Sequence, residues 1–490
     1  MLANNPIIHA DYPDPDVIRV GDTYYMISTT MHFFPGAQIL RSYDLTHWEH
    51  CSYVYDLFGD TPVQRLDGGD IYGKGMWAAC LRYHDGLFHV VFSCNDTQKS
   101  WHYTASQPDG SWTRHDMEGF YYDCSVLFDD DGRVYIAHGN RTVRITEMLP
   151  DLSAPKPDGL ERIAIEDSAT IMLGWEGNHF YKIDGRYYIF CIHWARGGLR
   201  SEGCFMADSP DGFFIGGELV YDDMDGSGMG VAQGGFVESP EGERYLMLFQ
   251  DHRAVGRIPV LVPMRWESGY PAVGHIPERL DLPSTRPEHE YAPLYTSDPL
   301  RGEPSQLWQW NHEPHLSLVE FGESGMKLTT DRVVDGLEKS VNTLTQRCFG
   351  PKCRCEVTVD GSTLGVGDYA GLCALQGCFA QLALTRGDDG ELYVSLIAKE
   401  PCDNADDQES REYYRVRLGA DSAVLCADFD FDEDVVRFGY RCGDHRVDVD
   451  HVHRLVYRLD HFVGCRPGLF CYSTVQSGGS AVFSDFVYTV

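Results

Sequence analysis

Residues 84–93 read HDGLFHVVFS, an acidic residue and a glycine followed by an aromatic, apolar run. Asp85-Gly86 is the signature of a tight hairpin, since glycine supplies the positive φ that a two-residue loop requires, and the run after it is a strand. The same pattern recurs as VGDTYYMIST (20–29), DDGRVYIAHG (130–139), IDGRYYIFCI (183–192) and PEGERYLMLF (240–249). The turn glycines Gly21, Gly86, Gly132, Gly185 and Gly242 are separated by 65, 46, 53 and 57 residues. That is the spacing of a small antiparallel sheet repeated around an axis, so five such units predict an all-β, five-bladed β-propeller.

Counting back from each turn reaches the strand that leads into it. Nine residues before Gly86, Gly132, Gly185 and Gly242 stand Trp77, Asp123, Glu176 and Gln233, and seven before Gly21 stands Asp14. In equivalent blades these positions share one depth around the axis. A single carboxylate ahead of a strand reads as a cap or a solvated loop residue. Three acids at matching places in different repeats are another matter, because like charges gathered on one axis cost stability unless a function uses them. Two carboxyl groups of differing pKa facing a neutral sugar are the parts needed to hydrolyse a glycosidic bond. One protonates the leaving oxygen, the other activates water, and a third can raise the pKa of the acid by repulsion. Within Tyr12-Pro13-Asp14-Pro15, the second proline biases Asp14 toward extended backbone. Asp11 and Asp16 on either side read as loop solvation or a backbone-bonding turn.

The 490 residues, 43% hydrophobic and 12% aromatic, fill large cores and more than one domain. Forty basic against 74 acidic residues leave a net charge of −34, which works against nucleic acid or an anionic membrane as partner and suits a neutral one. MLANNPIIHADYP lacks a basic segment followed by a long apolar one, and no run is apolar enough to span a bilayer, so the expectation is a cytoplasmic protein. The sixteen cysteines are scattered through strand-like segments and read as reduced thiols. The densest group, Cys348, Cys353 and Cys355, has no second ligand pair at zinc-site spacing, and no metal site is expected there.

From about 267 the chain turns rich in proline and charge. The expected division is a propeller over 1–285, an extended connector over 286–305, and a second domain over 306–490. In that last part LWQWNHEPHLSLVE, CRCEVTVD, FAQLALTR, ELYVSLIA and AVFSDFVYTV alternate apolar and polar residues, the pattern of an antiparallel β-sandwich. Such a shape serves either as a sugar-binding module or as a buttress that narrows the propeller's pocket.

Over these residues the chain resembles glycoside hydrolase family 43, the inverting β-xylosidases and α-L-arabinofuranosidases with five-bladed propellers. NPIIHADYPDPDVIRVGDTYYMISTTMHFFPGAQILRSYDLTHWE is similar to the family's first-blade signature along its whole length. WAACLRYHDGLFHVVFS, DCSVLFDDDGRVYIAHG, EGNHFYKIDGRYYIFC and AQGGFVESPEGERYLML are similar to the second to fifth blade segments. LWQWNHEP and GDYAGLCALQG resemble the concanavalin-like, jelly-roll domain attached to family β-xylosidases.

The resemblance implies Asp14 as general base, Asp123 as the residue that tunes the acid's pKa and orients the substrate, and Glu176 as general acid. It assigns Arg257, in the Gly256-Arg257 element, to the sugar in the cleaved subsite, with Arg253 as a weaker competitor. Trp77 is expected as a wall against the sugar ring, and the run His32-Phe33-Phe34 is expected to approach the pocket. Gln233 stands where many relatives carry a histidine that coordinates an axial cation or water. An amide oxygen ligates a hard cation, so calcium is admitted but no cofactor is required. The implied activity is exo-acting release of a terminal pentose from xylose- or arabinose-containing oligosaccharides. The AQGG element favours arabinofuranoside and the sandwich favours xyloside. A noncatalytic sugar-binding propeller is the alternative from another class, and self-association into a homo-oligomer stays open.

Overall fold

The structure, a computed structural model, describes residues 2–490 apart from 168–170, 225, 402–408 and 444. Five four-stranded antiparallel sheets, each built from one continuous stretch of chain, form the five blades. Their first strands are Asp16–Val20, Met76–His84, Ser125–Phe128, Ile171–Ile183 and Ala232–Glu238, and each of these touches the first strands of its two neighbours, closing a ring. Among the described residues no helix is long and apolar enough to cross a membrane.

The five turn glycines all adopt the positive φ expected of them, between 64° and 85°. Blades one, two and four reverse through two-residue turns, Val20 pairing with Thr23, His84 with Leu87 and Ile183 with Arg186. Blades three and five depart from that expectation, with Phe128 pairing with Val134 and Glu238 with Arg244. Their longer loops hold themselves. In blade three the Asp129 N–H donates to the Arg133 carbonyl, and its buried carboxylate accepts from Lys182 and Tyr187.

Ring closure is noncovalent and sets up the site. Leu2–Asn4 pairs with Arg279–Asp281, the Ile7 N–H donates to Pro259, and the Tyr12 N–H donates to Arg257. From the other side the Gly235 N–H donates to the Pro15 carbonyl. The N-terminal segment is therefore zipped along blade five, and Asp14 lies in the seam between the first and last blades.

The second domain is a sandwich of two antiparallel sheets, in the eight-strand and seven-strand orders expected of a jelly-roll, concanavalin-like fold. Alternate residues of its strands fill one core, among them Val357, Val359, Leu372, Leu382, Val394, Leu425, Phe438 and Phe483. Residues 282–308 carry no strand and run between the two domains. Thr285 and Arg286 bind Tyr43 and Asp22 of blade one, and the Asp298 N–H already donates to Phe486 of the sandwich. The proline-rich stretch that begins near 267 is not all connector, because Tyr270–Val273 is the outer strand of blade five.

One expectation is overturned by this junction. Phe33 and Phe34 pair with Asn311 and Trp310 and form the last strand of the sandwich's larger sheet. Phe34 is fully buried, with its ring set edge-on against Phe58 and Tyr55. It offers no surface to a sugar. Its position is explained by the strand pairing, which lays the blade-one loop along the sandwich and turns the Phe34 ring into the core between blades one and two instead of the pocket.

Candidate active site

The axial end of the ring gathers the residues reached by counting back from the turns. Asp14 and Asp123 both adopt positive φ, 52° and 46°, and so does Gln233 at 56°. The inner strands of blades two, four and five also slip register, between Trp77 and Cys80, Glu176 and His179, and Ala232 and Gly235. A bulge at this place in a strand re-aims one side chain out of the sheet, and its recurrence gives the blades the same inward residue. Gly177 adjoins Glu176 with φ 60°, and a Cβ there would stand 2.5 Å from the Gln233 side chain, so only glycine fits between the acid and the amide.

Asp14 is buried and doubly held: Thr29 Oγ1 donates to Oδ2 at 2.7 Å and Arg257 Nη1 to Oδ1 at 2.8 Å. Arg257, itself buried, lies over the Phe462 ring at 4.4 Å and the Phe249 ring at 5.3 Å. It thus supplies the countercharge of Asp14 on an aromatic bed. Arg253, the weaker competitor, is an exposed residue paired with Asp434.

Glu176 accepts a hydrogen bond from the Asn140 side-chain amide. Burial first, and the charge of Asp14 second, push its carboxyl up to about 7, against a smaller opposing pull from Arg200. Among the described residues Asp123 receives a single N–H, from Gly177 at 3.2 Å to Oδ2, and its Oδ1 has no partner. Burial, then the charges of Glu176 and Asp14, drive it well above the usual carboxylate range. The sequence reading made Asp123 the cause of the raised Glu176 pKa. In the structure burial and the charge of Asp14 raise Glu176, while burial and the repulsion between Glu176 and Asp123 raise Asp123, so the two acids do not readily ionise together.

The neighbouring aspartates, expected as solvated loop residues or as holders of a local backbone-bonding turn, instead bind groups far away in the sequence. Asp16 is fully buried and receives Arg82 Nη1 at 2.7 Å, the Leu81 N–H at 2.8 Å, Tyr181 Oη at 3.1 Å and His179 Nδ1 at 3.2 Å. Burial alone would raise it, but the charge of Arg82 and the hydrogen bonds of His179 and Leu81 outweigh that and hold it well below the carboxylate range. Asp11 accepts the Arg257 N–H on one oxygen and the Gly464 N–H of the sandwich on the other. The three aspartates of DYPDPD thus divide the labour: Asp11 ties the domains, Asp14 faces the site, and Asp16 clamps blades one, two and four.

Trp77 is half-buried beside the acids, stacked on Phe462 with centroids 5.4 Å apart and tilted against Tyr122 at 5.9 Å. Phe462 comes from the second domain and has φ 57°. It is the residue that reading blade repeats cannot find, because nothing in the propeller's period points to it. Asn140 and Tyr122 were also missed, although both lie next to quoted segments, Tyr122 immediately before Asp123 and Asn140 immediately after the third hairpin strand. Gln233 has its N–H on Glu202 at 2.7 Å and its side chain against Gly177. With His179 engaged by Asp16, Gln233 offers one neutral amide, and among the described residues no three ligating side chains bring their donor atoms within 4.8 Å of one another at the axis, which does not fit a calcium cage.

Comparison with known proteins gives the same picture. The model of glycosyl hydrolases family 43 matches residues 3–271, and that of the β-xylosidase C-terminal concanavalin A-like domain matches 301–489. A bifunctional GH43-CE protein of Bacteroides eggerthii superposes with a TM-score of 0.92 at 36% identity, over 99% of this chain and 63% of its own. A family 43 hydrolase with an engineered active site, described as displaying both endo-xylanase and exo-arabinofuranosidase activity, superposes at 0.90 with 26% identity over the whole of both chains. A β-xylosidase of Formosa agariphila is 27% identical over 363 residues, 64% of this chain and 60% of its own length. A non-reducing end α-L-arabinofuranosidase of Bacteroides ovatus is 27% identical over 286 residues, 55% of this chain and 53% of its own.

Proposed function

The chain belongs to glycosyl hydrolase family 43, and from that premise we propose that it is an exo-acting, inverting hydrolase that releases terminal L-arabinofuranose, or D-xylose, from arabinoxylan- or xylan-derived oligosaccharides in the cytoplasm. The observation that carries the reading is the contrast between two carboxyl groups on one axis. Glu176 is pushed up to about 7 and so keeps a proton to give, while Asp14 is held against the Arg257 guanidinium. An acid and a base set apart in this way are what the two sides of a glycosidic bond need.

In this mechanism Glu176 protonates the leaving oxygen. Asp14, oriented by Thr29 and Arg257, takes a proton from the water that attacks the anomeric carbon from the opposite face. Asp123, in its neutral form, donates a hydrogen bond to a sugar hydroxyl, and Trp77 and Phe462 flank the ring. Arabinofuranoside is preferred on the AQGG segment at Gln233, and the similarity to the relative named non-reducing end α-L-arabinofuranosidase supports it. The concanavalin-like domain and the relatives named β-xylosidase favour xyloside as second reading.

Nitrophenyl α-L-arabinofuranoside and β-D-xylopyranoside decide between the two, with the larger kcat/KM expected on the first. Proton NMR of the first-formed sugar is expected to show inversion, with the Asp14 and Glu176 carboxyl groups about 6.5–9.5 Å apart in a substrate complex. A retained anomer overturns the mechanism. Absence of hydrolysis with measurable sugar binding would make the protein a noncatalytic binding propeller.

A further inference from the structure

Away from the propeller axis, the two sheets of the sandwich come together at an open edge. Strand His445–Arg454 ends the seven-stranded sheet, and Glu400 directly follows strand Leu392–Lys399 of the eight-stranded one. There Glu400 Oε1 lies 2.9 Å from His451 Nε2 and 3.1 Å from His453 Nδ1. Among the described residues this is the one place where three metal-ligating side chains converge, with all three donor atoms within 4.8 Å of one another.

The hydrogen bond on the far side of His453 decides what this convergence is for. His453 is fully buried, and its Nε2 lies 3.0 Å from the Cys378 carbonyl. A carbonyl oxygen only accepts, so Nε2 carries a hydrogen and Nδ1 is the nitrogen turned toward the Glu400 carboxylate. At 3.1 Å the Nδ1 and Oε1 atoms need a positive centre between them, which a proton or a metal ion supplies. An imidazole fixed by a backbone carbonyl on one nitrogen and aimed at a carboxylate with the other is how a metal-binding histidine is held by its surroundings. His451 is steadied as well, by the Tyr413 ring stacked on it at 4.1 Å. Glu400 and His451 keep part of their side chains open to solvent, 33% and 17%, which leaves a route in.

We propose that Glu400, His451 and His453 form a site for a divalent transition-metal cation of the zinc class, which braces the two sheets of the sandwich at their open edge. Two imidazole nitrogens and one carboxylate oxygen suit zinc better than calcium or magnesium, which prefer all-oxygen shells. Beyond Arg454 the chain runs on to Arg458, whose guanidinium reaches the Cys378 sulfur, and then to Phe462 at the active site. The brace therefore stands at the root of the loop that carries Phe462.

The test uses the full chain, free of any affinity tag and stripped with EDTA. Calorimetric titration with zinc chloride is expected to show one saturable site per chain. At about a hundredfold excess over Kd, the melting temperature is expected to rise by about 5 °C. Glu400→Gln and His451→Ala, both at partly exposed positions, are each expected to weaken binding by at least about tenfold. Cobalt(II) bound to the unaltered chain should give the visible d–d absorption of a tetrahedral nitrogen and oxygen site, a reading independent of how the variants fold. Failure of the unaltered chain to bind zinc, a cobalt spectrum of the hexaaqua ion, or undiminished binding by both variants would each overturn the site and leave the triad as a hydrogen-bonded cluster of one glutamate and two histidines.

Discussion

Asp16 opens the first strand of blade one and Asp123 stands just ahead of the first strand of blade three; they are 0% and 4% exposed, and their pKa values move in opposite directions. Burial is therefore not what separates a structural carboxylate from a chemical one. Asp16 meets four donors, one of them the Arg82 guanidinium, and stays ionised as the clamp of three blades. Asp123 meets one N–H and keeps an unpartnered oxygen, which is free for a substrate hydroxyl. A fold can afford a few such unsatisfied atoms where a ligand will complete them.

The largest effect that would test this division is on catalysis. Asp14→Ala is expected to lose activity on the order of 10²–10⁴-fold on natural oligosaccharides and on aryl glycosides alike, since water must be activated whatever leaves. Glu176→Ala is expected to lose as much on oligosaccharides, whose alkoxide needs a proton, and far less on glycosides of acidic phenols. Equal losses on both leaving groups would remove Glu176 from the acid's role and place its raised pKa among structural features.

Next comes stability. Arg82→Ala leaves Asp16 buried without its countercharge and is expected to cost about 3–5 kcal/mol in denaturant unfolding. Asp123→Asn exchanges one neutral polar group for another of the same shape and is expected to cost much less. If the two cost the same, the contrast drawn between the two aspartates fails.

The propeller was legible because its period is written in the chain five times, in turn glycines that must adopt positive φ, and the acids could be counted from them. What the count could not reveal depends on other segments. Whether Asp16 is solvated or clamped turns on Arg82, His179 and Tyr181, which lie 66, 163 and 165 residues away. Phe34 looked like a pocket aromatic because its strand partner, Trp310, belongs to the second domain. Phe462 was hidden for the same reason, and alternation of apolar residues in the sandwich says nothing about which loop reaches the propeller.

Phe462 gives a smaller and more local test. Its ring lies over Arg257 and beside Trp77, so Phe462→Ala removes part of the sugar's wall and part of the arginine's bed. The expected result is a drop of about tenfold in kcat/KM, carried mainly by KM, equivalent to roughly 1.4 kcal/mol and within the range of a cation–π contact. Unchanged kinetics would return the sandwich to the role of a distant buttress.

The smallest expected effect is the one that most sharpens the comparison, and it concerns the pH profile of Asp123→Asn. The basic limb of kcat/KM reports loss of the proton from the acid in the free enzyme, expected near 7 for Glu176. An ionised Asp123 would repel the Glu176 carboxylate and hold that limb up, so its replacement by neutral Asn would move the limb down. A protonated Asp123 exerts no such repulsion, and the structure gives it every reason to be protonated: burial, two nearby acids, and one weak donor. The limb is therefore expected to stay within about half a unit of its original position, a change below about 0.7 kcal/mol, while kcat/KM falls through the lost contact to the sugar. A downward displacement of a full unit or more would show that Asp123 carries charge beside Glu176, and that its single N–H and empty oxygen do not make it the opposite of Asp16.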